Sequence, residues 1–303
     1  MYLEFFGLKE YPFALTPDTG YFYKYVSHQE ALNVLLVALH SGEGFIKVTG
    51  EVGLGKTLLC RKLLGALSSH FVTAYLPNPH LSPGSMRLAI ADELGCQAAR
   101  RATQEELLRL ITAKLIEIAR SGKRVVVCLD EVQAMPDQTL EAVRLLTNLE
   151  TEKSKLLQVV MFGQPELDER LNEPGRRQLK QRITFSYRLA PMTCAAVGEY
   201  LQHRMHVAGY RGPDLFSPRA VRALYRASGG VPRLINILAH KALLAAFGPG
   251  QRLITHRHVR MAMLDTEGAR RPAIWWPWLY TGLLGSALLA GILVRTSLQG
   301  GWI

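Results

Sequence analysis

The most specific chemistry in the sequence sits in Gly50-Glu51-Val52-Gly53-Leu54-Gly55-Lys56-Thr57. This run satisfies G-x-x-x-x-G-K-[ST] in full. Glycines reach backbone angles that other residues resist, so successive N–H groups can turn inward around phosphate oxygens. A helix opening at Thr57 would aim the positive end of its dipole at the same point. Lys56 would reach the β- and γ-phosphates of a nucleoside triphosphate, and the Thr57 hydroxyl would hold Mg²⁺. The expected nucleotide-contacting run is therefore Gly50 to Leu58.

A second signal is the apolar run Val125 to Leu129 followed by Asp130-Glu131, 74 residues beyond Lys56. A strand ending this way delivers two carboxylates at the edge of an α/β sheet where ligands bind. Asp130 would hold Mg²⁺, with Thr57, and Glu131 is the candidate base that polarises an attacking water. Gln164 ends another strand-like run and either contacts the γ-phosphate or the water, or is a solvent-exposed loop residue. Asn78 lies between Pro77 and Pro79; it could restrain Glu131, but the flanking prolines favour a plain turn. The basic segment Arg176 to Arg182 is either a solvated face or the source of an arginine that reaches a neighbouring subunit's γ-phosphate, with Arg182 the first choice and Arg177 the second. Pro232 suits a first helical turn, which would project Arg233 toward a cleft between two domains; a plain surface arginine is the alternative.

These groups need a scaffold. Phe45 to Thr49 reads as a strand before the Gly-rich loop, and Leu58 to Leu67 as a helix after it. Further strand-like runs are Phe71 to Leu76, Arg124 to Leu129, Leu156 to Phe162 and Ile183 to Leu189. Helical stretches, such as Glu105 to Ala119 and Leu140 to Leu149, separate most of them. That alternation predicts an α/β domain with a mostly parallel sheet covered on both faces. Residues 28–41 read as an amphipathic helix capped by Ser27. After Pro191 the pattern becomes helical, with Thr193 as a cap and helices near 217–228, 233–247 and 256–265. The expected division is an α/β nucleotide-binding domain at 1–191 and a helical lid at 192–268.

Residues 272–294 carry no charge, and the 20 residues from Trp275 to Val294 would span about 30 Å as a helix, one bilayer core. Tryptophans flank the stretch, as expected at membrane interfaces. The expectation is one C-terminal transmembrane helix at 275–294 and a short tail at 295–303; a buried core helix is the alternative. Gly282, Ser286 and Ala290 place small residues at helical spacing, either a helix-packing stripe or ordinary membrane composition. Arg257, Arg260, Arg270 and Arg271 precede the stretch and only Arg295 follows, so the N-terminal bulk should face the cytoplasm. The first residues lack a signal peptide's basic start and long apolar stretch. With nine residues after Val294, no folded domain is expected from them on the far side.

A net charge of +11 suits an anionic partner (nucleotide, nucleic acid or anionic membrane) without choosing among them. The four cysteines form no CxxC pair and no His-rich cluster accompanies them, which argues against a zinc site or a disulfide framework; Cys128 reads as a core residue.

Taken together, these residues resemble the AAA+ ATPases of the P-loop NTPase class, and more narrowly the ExeA-like secretion and pilus ATPases. The resemblance runs from Phe6-Gly7-Leu8, Pro12-Phe13, Thr16-Pro17-Asp18, Tyr23 and His28 to Leu32 through Gly50 to Thr57 and Asp130-Glu131. It continues through Leu145 to Glu150 and Phe162 to Leu167 and closes at Gly230 to Asn236. It implies a five-stranded parallel sheet, a helical lid and ring-like homo-oligomers, with a hexamer among the candidates. It also implies Gln164 as sensor 1, Arg182 as arginine finger, Arg233 as sensor 2, and Tyr23 to His28 near the adenine. Longer relatives carry a peptidoglycan-binding domain beyond the membrane helix. The implied function is ATP hydrolysis, with Mg²⁺, assisting assembly of a type IV pilus or secretion apparatus at the bacterial inner membrane, with machinery proteins and the lipid bilayer as partners. Two rival readings are a DNA-binding regulatory ATPase of the transposition type, which the apolar stretch argues against, and a nucleotide-bound scaffold without turnover.

Overall fold

The computed structural model describes residues 2–97, 102–150 and 155–270. Five strands form one sheet: β1 (Phe45–Thr49), β2 (Phe71–Leu76), β3 (Arg124–Leu129), β4 (Leu157–Gly163) and β5 (Ile183–Arg188). The order is β2-β3-β4-β1-β5 and every pairing is parallel. Burial explains the composition of each strand. All seven residues of β4 are buried, as both faces of a central strand are covered. Ile183 to Arg188 alternates half-buried with exposed residues, as an edge strand does.

The first helix in the chain, α1 (Tyr2–Phe6), belongs to the helical bundle described below. Helices cover both faces of the sheet: α2 (Val26–His40), α3 (Lys56–Ala66), α4 (Pro83–Glu93), α5 (Gln104–Arg120), α6 (Asp137–Leu146), α7 (Glu166–Asn172) and α8 (Arg177–Arg182). Val125, Val127 and Leu129 pack on the side of α4 to α8, while Val126 and Cys128 pack with Leu35, Leu39, Leu59 and Leu63 of α2 and α3. Side-chain alternation along β3 thus feeds two separate apolar layers. Cys60 and Cys128 are both buried in the second layer, and the neighbouring Cys128 thiol together with burial pushes the Cys60 thiol well up.

The expected Ser27 cap is not made. The helix starts earlier, with Tyr25 in the cap position, and Ser27 is buried inside it. Ser27 Oγ instead accepts the Ala190 N–H at 3.0 Å, tying α2 to the end of the edge strand.

The helical bundle comprises α9 (Cys194–Val207), α10 (Pro218–Ser228), α11 (Pro232–Phe247) and α12 (His256–Leu264). Thr193 caps α9 through the Ala196 N–H at 3.3 Å. Tyr2, Phe6, Leu8, Phe13 and Tyr21 pack in this bundle's core rather than in the sheet domain, where the sequence division placed them. Their aromatic and aliphatic side chains fill the space between α9 and α11, and the Lys9 N–H donates to Ala208 O at 2.8 Å. Among the described residues no helix is long and apolar enough to cross a membrane. The expected span at 275–294, its small-residue stripe and the tail at 295–303 lie outside the described residues.

Candidate nucleotide site

The Gly-rich loop follows β1 and delivers Lys56 and Thr57 at the start of α3. Gly53 and Gly55 hold φ of 82° and 89°, left-handed angles that favour glycine. A Cβ on Gly53 would also fall 2.7 Å from the Arg233 Cβ, so no side chain fits between loop and lid. Beneath the loop, the buried His28 donates from Nε2 to Leu54 O at 2.7 Å. Burial lowers its pKa, which keeps the ring neutral with the proton on Nε2.

Lys56 is 5% exposed and its Nζ donates to Gly50 O at 2.8 Å and Glu51 O at 3.2 Å. The ammonium thus sits inside the loop and satisfies itself on backbone carbonyls. Burial pushes its pKa down, opposed by the charges of Glu131, Asp130, Glu51 and Glu166.

Asp130 is 3% exposed at the end of β3. Its Oδ2 accepts from Thr57 Oγ1 at 2.7 Å and from Tyr75 OH at 3.3 Å. The two residues expected to share Mg²⁺ are therefore in direct contact. Two oxygen ligands and a triphosphate suit that ion, which retains several waters and needs no full protein cage.

Glu131 is the one non-glycine residue at positive φ among the described residues, at φ 52° and ψ 39°. Such a conformation costs on the order of 1–3 kcal/mol and persists only where the surroundings enforce it. Here Oε2 accepts from Gln133 Nε2 at 2.6 Å and from Gln164 Nε2 at 3.0 Å. Burial raises the Glu131 pKa, but the bonds from Gln164 and Gln133 and the Lys56 charge outweigh it, and the net shift is downward. The side chain is held as a carboxylate, the form a base requires.

Gln164 therefore lies in the site rather than on a solvated loop. Arg233 lies at the start of α11, its N–H donating to Gly53 O at 3.2 Å. A cavity of about 360 Å³ joins Gly53, Lys56, Thr57 and Glu131 to Arg233 and Asn236 across the interdomain cleft. Asn78 makes the turn expected of it, its Oδ1 accepting the His80 N–H at 3.0 Å. Ala14 to Asp18 line the cavity, and of Tyr23 to His28, implied by the resemblance to lie near the adenine, His28 touches the loop at Leu54. Tyr23 donates to Glu199, and Tyr25 to Pro191 O at 3.1 Å.

Arg182 lies at the opposite edge of the sheet, just before β5, donating to Thr147 Oγ1 at 3.1 Å. Since Ile183 pairs with Phe45 at the far end of β1 from the loop, Arg182 is a full strand length from its own chain's site. Arg177, one turn earlier, is exposed and makes no ion pair among the described residues.

Three contributors were not singled out from the sequence. Gln133 lies two residues past Glu131, a spacing that carried the only available signal. Arg204 is buried at the cavity and donates to Pro12 O, to Ala14 O at 3.2 Å and to Tyr200 OH at 3.1 Å; its guanidinium lies 4.5 Å from the Tyr21 ring. Asn236 accepts from Tyr200 OH at 2.8 Å. Nothing local in the sequence marks Arg204, because the carbonyls it holds, Pro12 O and Ala14 O, lie about 190 residues away in the chain.

Comparison with known proteins bears on the fold that carries this site. Residues 39–171 match the AAA domain family. The chain is 43% identical over 290 residues to the General secretion pathway protein A of Aeromonas hydrophila, covering 96% of this chain and 53% of that protein. It thus spans about half the length of this curated relative. Among solved structures, the Cdc6p of Pyrobaculum aerophilum superposes with a TM-score of 0.65 at 20% identity, over 82% of this chain and 70% of that one. The Aeropyrum pernix ORC2 protein, in ADPNP–ADP complexes, gives 0.62 at 17% identity, over 85% and 73%. At such identities these likenesses concern the fold, which is the P-loop AAA+ α/β fold with a five-stranded parallel sheet.

Proposed function

We propose, from the premise that the chain carries an AAA+ P-loop domain, that it binds and hydrolyses ATP. The observation that supports this most directly is the contact between Thr57 and Asp130 beside the Glu131 carboxylate, in the cavity that also holds Lys56. The loop N–H groups and Lys56 would grip the triphosphate, the lysine exchanging its bonds to Gly50 and Glu51 for phosphate oxygens. Thr57 and Asp130 would hold Mg²⁺, which supplies charge neutralisation at the phosphates. Glu131, kept ionised, would accept a proton from the attacking water while Gln164 orients it. Arg233, on the lid, would sense the γ-phosphate and couple its loss to the lid angle.

The wider reading is a homo-oligomeric ring, with Arg182 or Arg177 completing a neighbour's site, anchored in the bacterial inner membrane by residues 275–294 with the ATPase domain in the cytoplasm. Its work would be to assist assembly of a secretion apparatus or an MSHA-like type IV pilus, where the resemblance is to MshM. The likeness to General secretion pathway protein A supports the secretion half of this statement.

Lys56→Ala is expected to abolish nucleotide binding, measured with a fluorescent ATP analogue. Glu131→Gln should keep binding and lower phosphate release by about 10²–10⁴-fold. Equal hydrolysis by wild type and Glu131→Gln would remove Glu131 as the base.

A further inference from the structure

The lid carries a second cationic feature that the nucleotide site does not use. The segments entering α10 and α12 run side by side, with a parallel bridge between Phe216 and Ile254. The Ser217 N–H donates to Ile254 O at 3.0 Å, and the Ile254 N–H to Leu215 O at 2.7 Å. The two helices consequently start together, and a groove of about 790 Å³ opens beside them. Arg219 and Arg222 enter it from α10, and His256 and Arg257 from α12; no carboxylate lines it.

These cations are unneutralised. Arg219, Arg222 and Arg257 are exposed and make no ion pair among the described residues. Helical spacing extends the stripe to Arg226 on α10 and Arg260 on α12, both exposed. Two nearby lid carboxylates are engaged elsewhere: Asp214 accepts from Gln202 at 2.8 Å, and Asp265 pairs with Lys241 at 2.9 Å.

Apolar side chains accompany the charge. Met261, which lines the groove, is 57% exposed and Leu264 is 67% exposed. A free phosphate or a nucleic-acid backbone would use the guanidiniums and leave these side chains in water. A bilayer interface takes both, its headgroup phosphates meeting the arginines while methionine and leucine enter the acyl boundary.

We infer that the groove and stripe formed by α10 and α12 dock the lid on the anionic phosphate headgroups of a membrane. The inference rests on the membrane-attached reading above and names the surface that reading leaves open. Only ten residues of sequence separate Leu264 from Trp275, where the expected span begins, a reach of at most about 40 Å. The groove is also remote from the nucleotide. Pro232 and Arg233, at the start of α11, line the nucleotide cavity, whereas Ala245, near its other end, lines the groove. A 16-residue helix is about 24 Å long, so α11 is a rod between the two. Docking fixes one end of that rod, and nucleotide-driven lid movement then displaces the sheet domain relative to the membrane.

The test uses the full chain on vesicles of phosphatidylcholine alone or mixed with phosphatidylglycerol, with hydrogen exchange read for the α10 and α12 peptides. Slower exchange on the anionic vesicles is expected. It should vanish in Arg219→Gln/Arg222→Gln/Arg257→Gln and persist in the corresponding triple lysine variant, with nucleotide binding unchanged in both. Salt-sensitive affinity should fall about fivefold for each arginine removed. Identical exchange on the two vesicle types in a chain that resists carbonate extraction would overturn the docking surface and leave the anchor standing. Release by carbonate with the anionic protection intact would do the reverse. Protection by duplex DNA in place of the anionic vesicles would overturn the lipid assignment.

Discussion

Gln133 donates from Nε2 to Glu131 Oε2 at 2.6 Å while its Oε1 accepts the Gln164 N–H at 3.0 Å. One amide thus bridges the candidate base and Gln164, the residue proposed to orient the water, across the ends of β3 and β4. The bridge is itself anchored, since Arg170 donates to Gln133 O and, at 2.8 Å, to Met135 O. Gln133→Ala is therefore expected to lower kcat about tenfold to a hundredfold with KM for ATP little changed, because small misplacements at a reacting centre are costly while the triphosphate grip is untouched. Steady-state kinetics at saturating Mg²⁺ checks the split; a change confined to KM would count against the bridge.

The same bonds set a pH dependence. Gln164 and Gln133 donate to the Glu131 carboxylate and favour its charged form, so its folded pKa lies below the ordinary value. Such a group contributes stability above the unfolded carboxylate pKa and loses it as pH falls through the lower folded value. The acid limb of kcat should lie below the usual glutamate range in the wild type. In Gln164→Ala or Gln133→Ala one donor is gone, and the limb should move to higher pH. A profile whose acid limb stays fixed in both variants would contradict the assignment.

Much of this was legible before any coordinates. The Gly50 to Thr57 run and the Asp130-Glu131 pair announce themselves because their spacing is local and their flanking strands are continuous apolar runs. Other features were not legible for equally physical reasons. Ser27 looks like a cap, yet its hydroxyl bonds a backbone N–H at Ala190, far along the chain. The membership of Tyr2, Phe6 and Phe13 in the lid's core is a long-range packing fact, since an aromatic segment carries no mark of which layer it will fill. The bonds of Gln164 could not be separated from a surface loop's because they depend on β4 lying between β3 and β1.

Arg204 offers a test of how the lid is clasped. Its guanidinium holds Pro12 O and Ala14 O, and Ala14 to Asp18 form one wall of the nucleotide cavity. Arg204→Met keeps the apolar stem but leaves two carbonyls without their donor. Losing the charge-assisted bond to the buried Pro12 O costs on the order of 1.5–3 kcal/mol, and the bond to the exposed Ala14 less, so thermal unfolding should fall by several degrees. Nucleotide affinity should weaken as well, because the wall is no longer fixed. Equal Tm and equal ATP affinity in the variant would show that the strap is held by its aromatic contacts alone.

Arg233 should behave differently from Arg204. Its backbone N–H meets Gly53 O at 3.2 Å, so the residue stays at the cavity even when its side chain is shortened. Arg233→Ala is expected to leave folding intact and to lower turnover by about 10²–10³-fold, the usual scale for one lost donor on a developing charge. ADP affinity should change less than that of a non-hydrolysable triphosphate, because the proposed contact is to the γ-phosphate. Titration of both nucleotides against the variant decides the point, and an equal loss for the two would place the arginine on the inner phosphates.

The last expectation concerns completion of the site by a second copy. Arg182 sits one strand length from its own Lys56, so neither it nor Arg177 can serve the nucleotide held by the same chain. Arg182 would also have to release Thr147 Oγ1 to reach outward, whereas Arg177 is already exposed. An arginine acting in trans supports about 10³–10⁵-fold of turnover, and its loss leaves nucleotide binding almost unchanged. Arg182→Ala and Arg177→Ala should therefore be inactive or nearly so in whichever case supplies the finger, while still binding ATP. Mixing that variant with Glu131→Gln is the decisive measurement. The Glu131→Gln subunit would lend its intact arginine to a neighbour with an intact base, and activity should reappear in the mixture although each component alone is inactive. Mixtures that stay inactive at every ratio, despite demonstrated co-assembly, would rule out an arginine shared between copies.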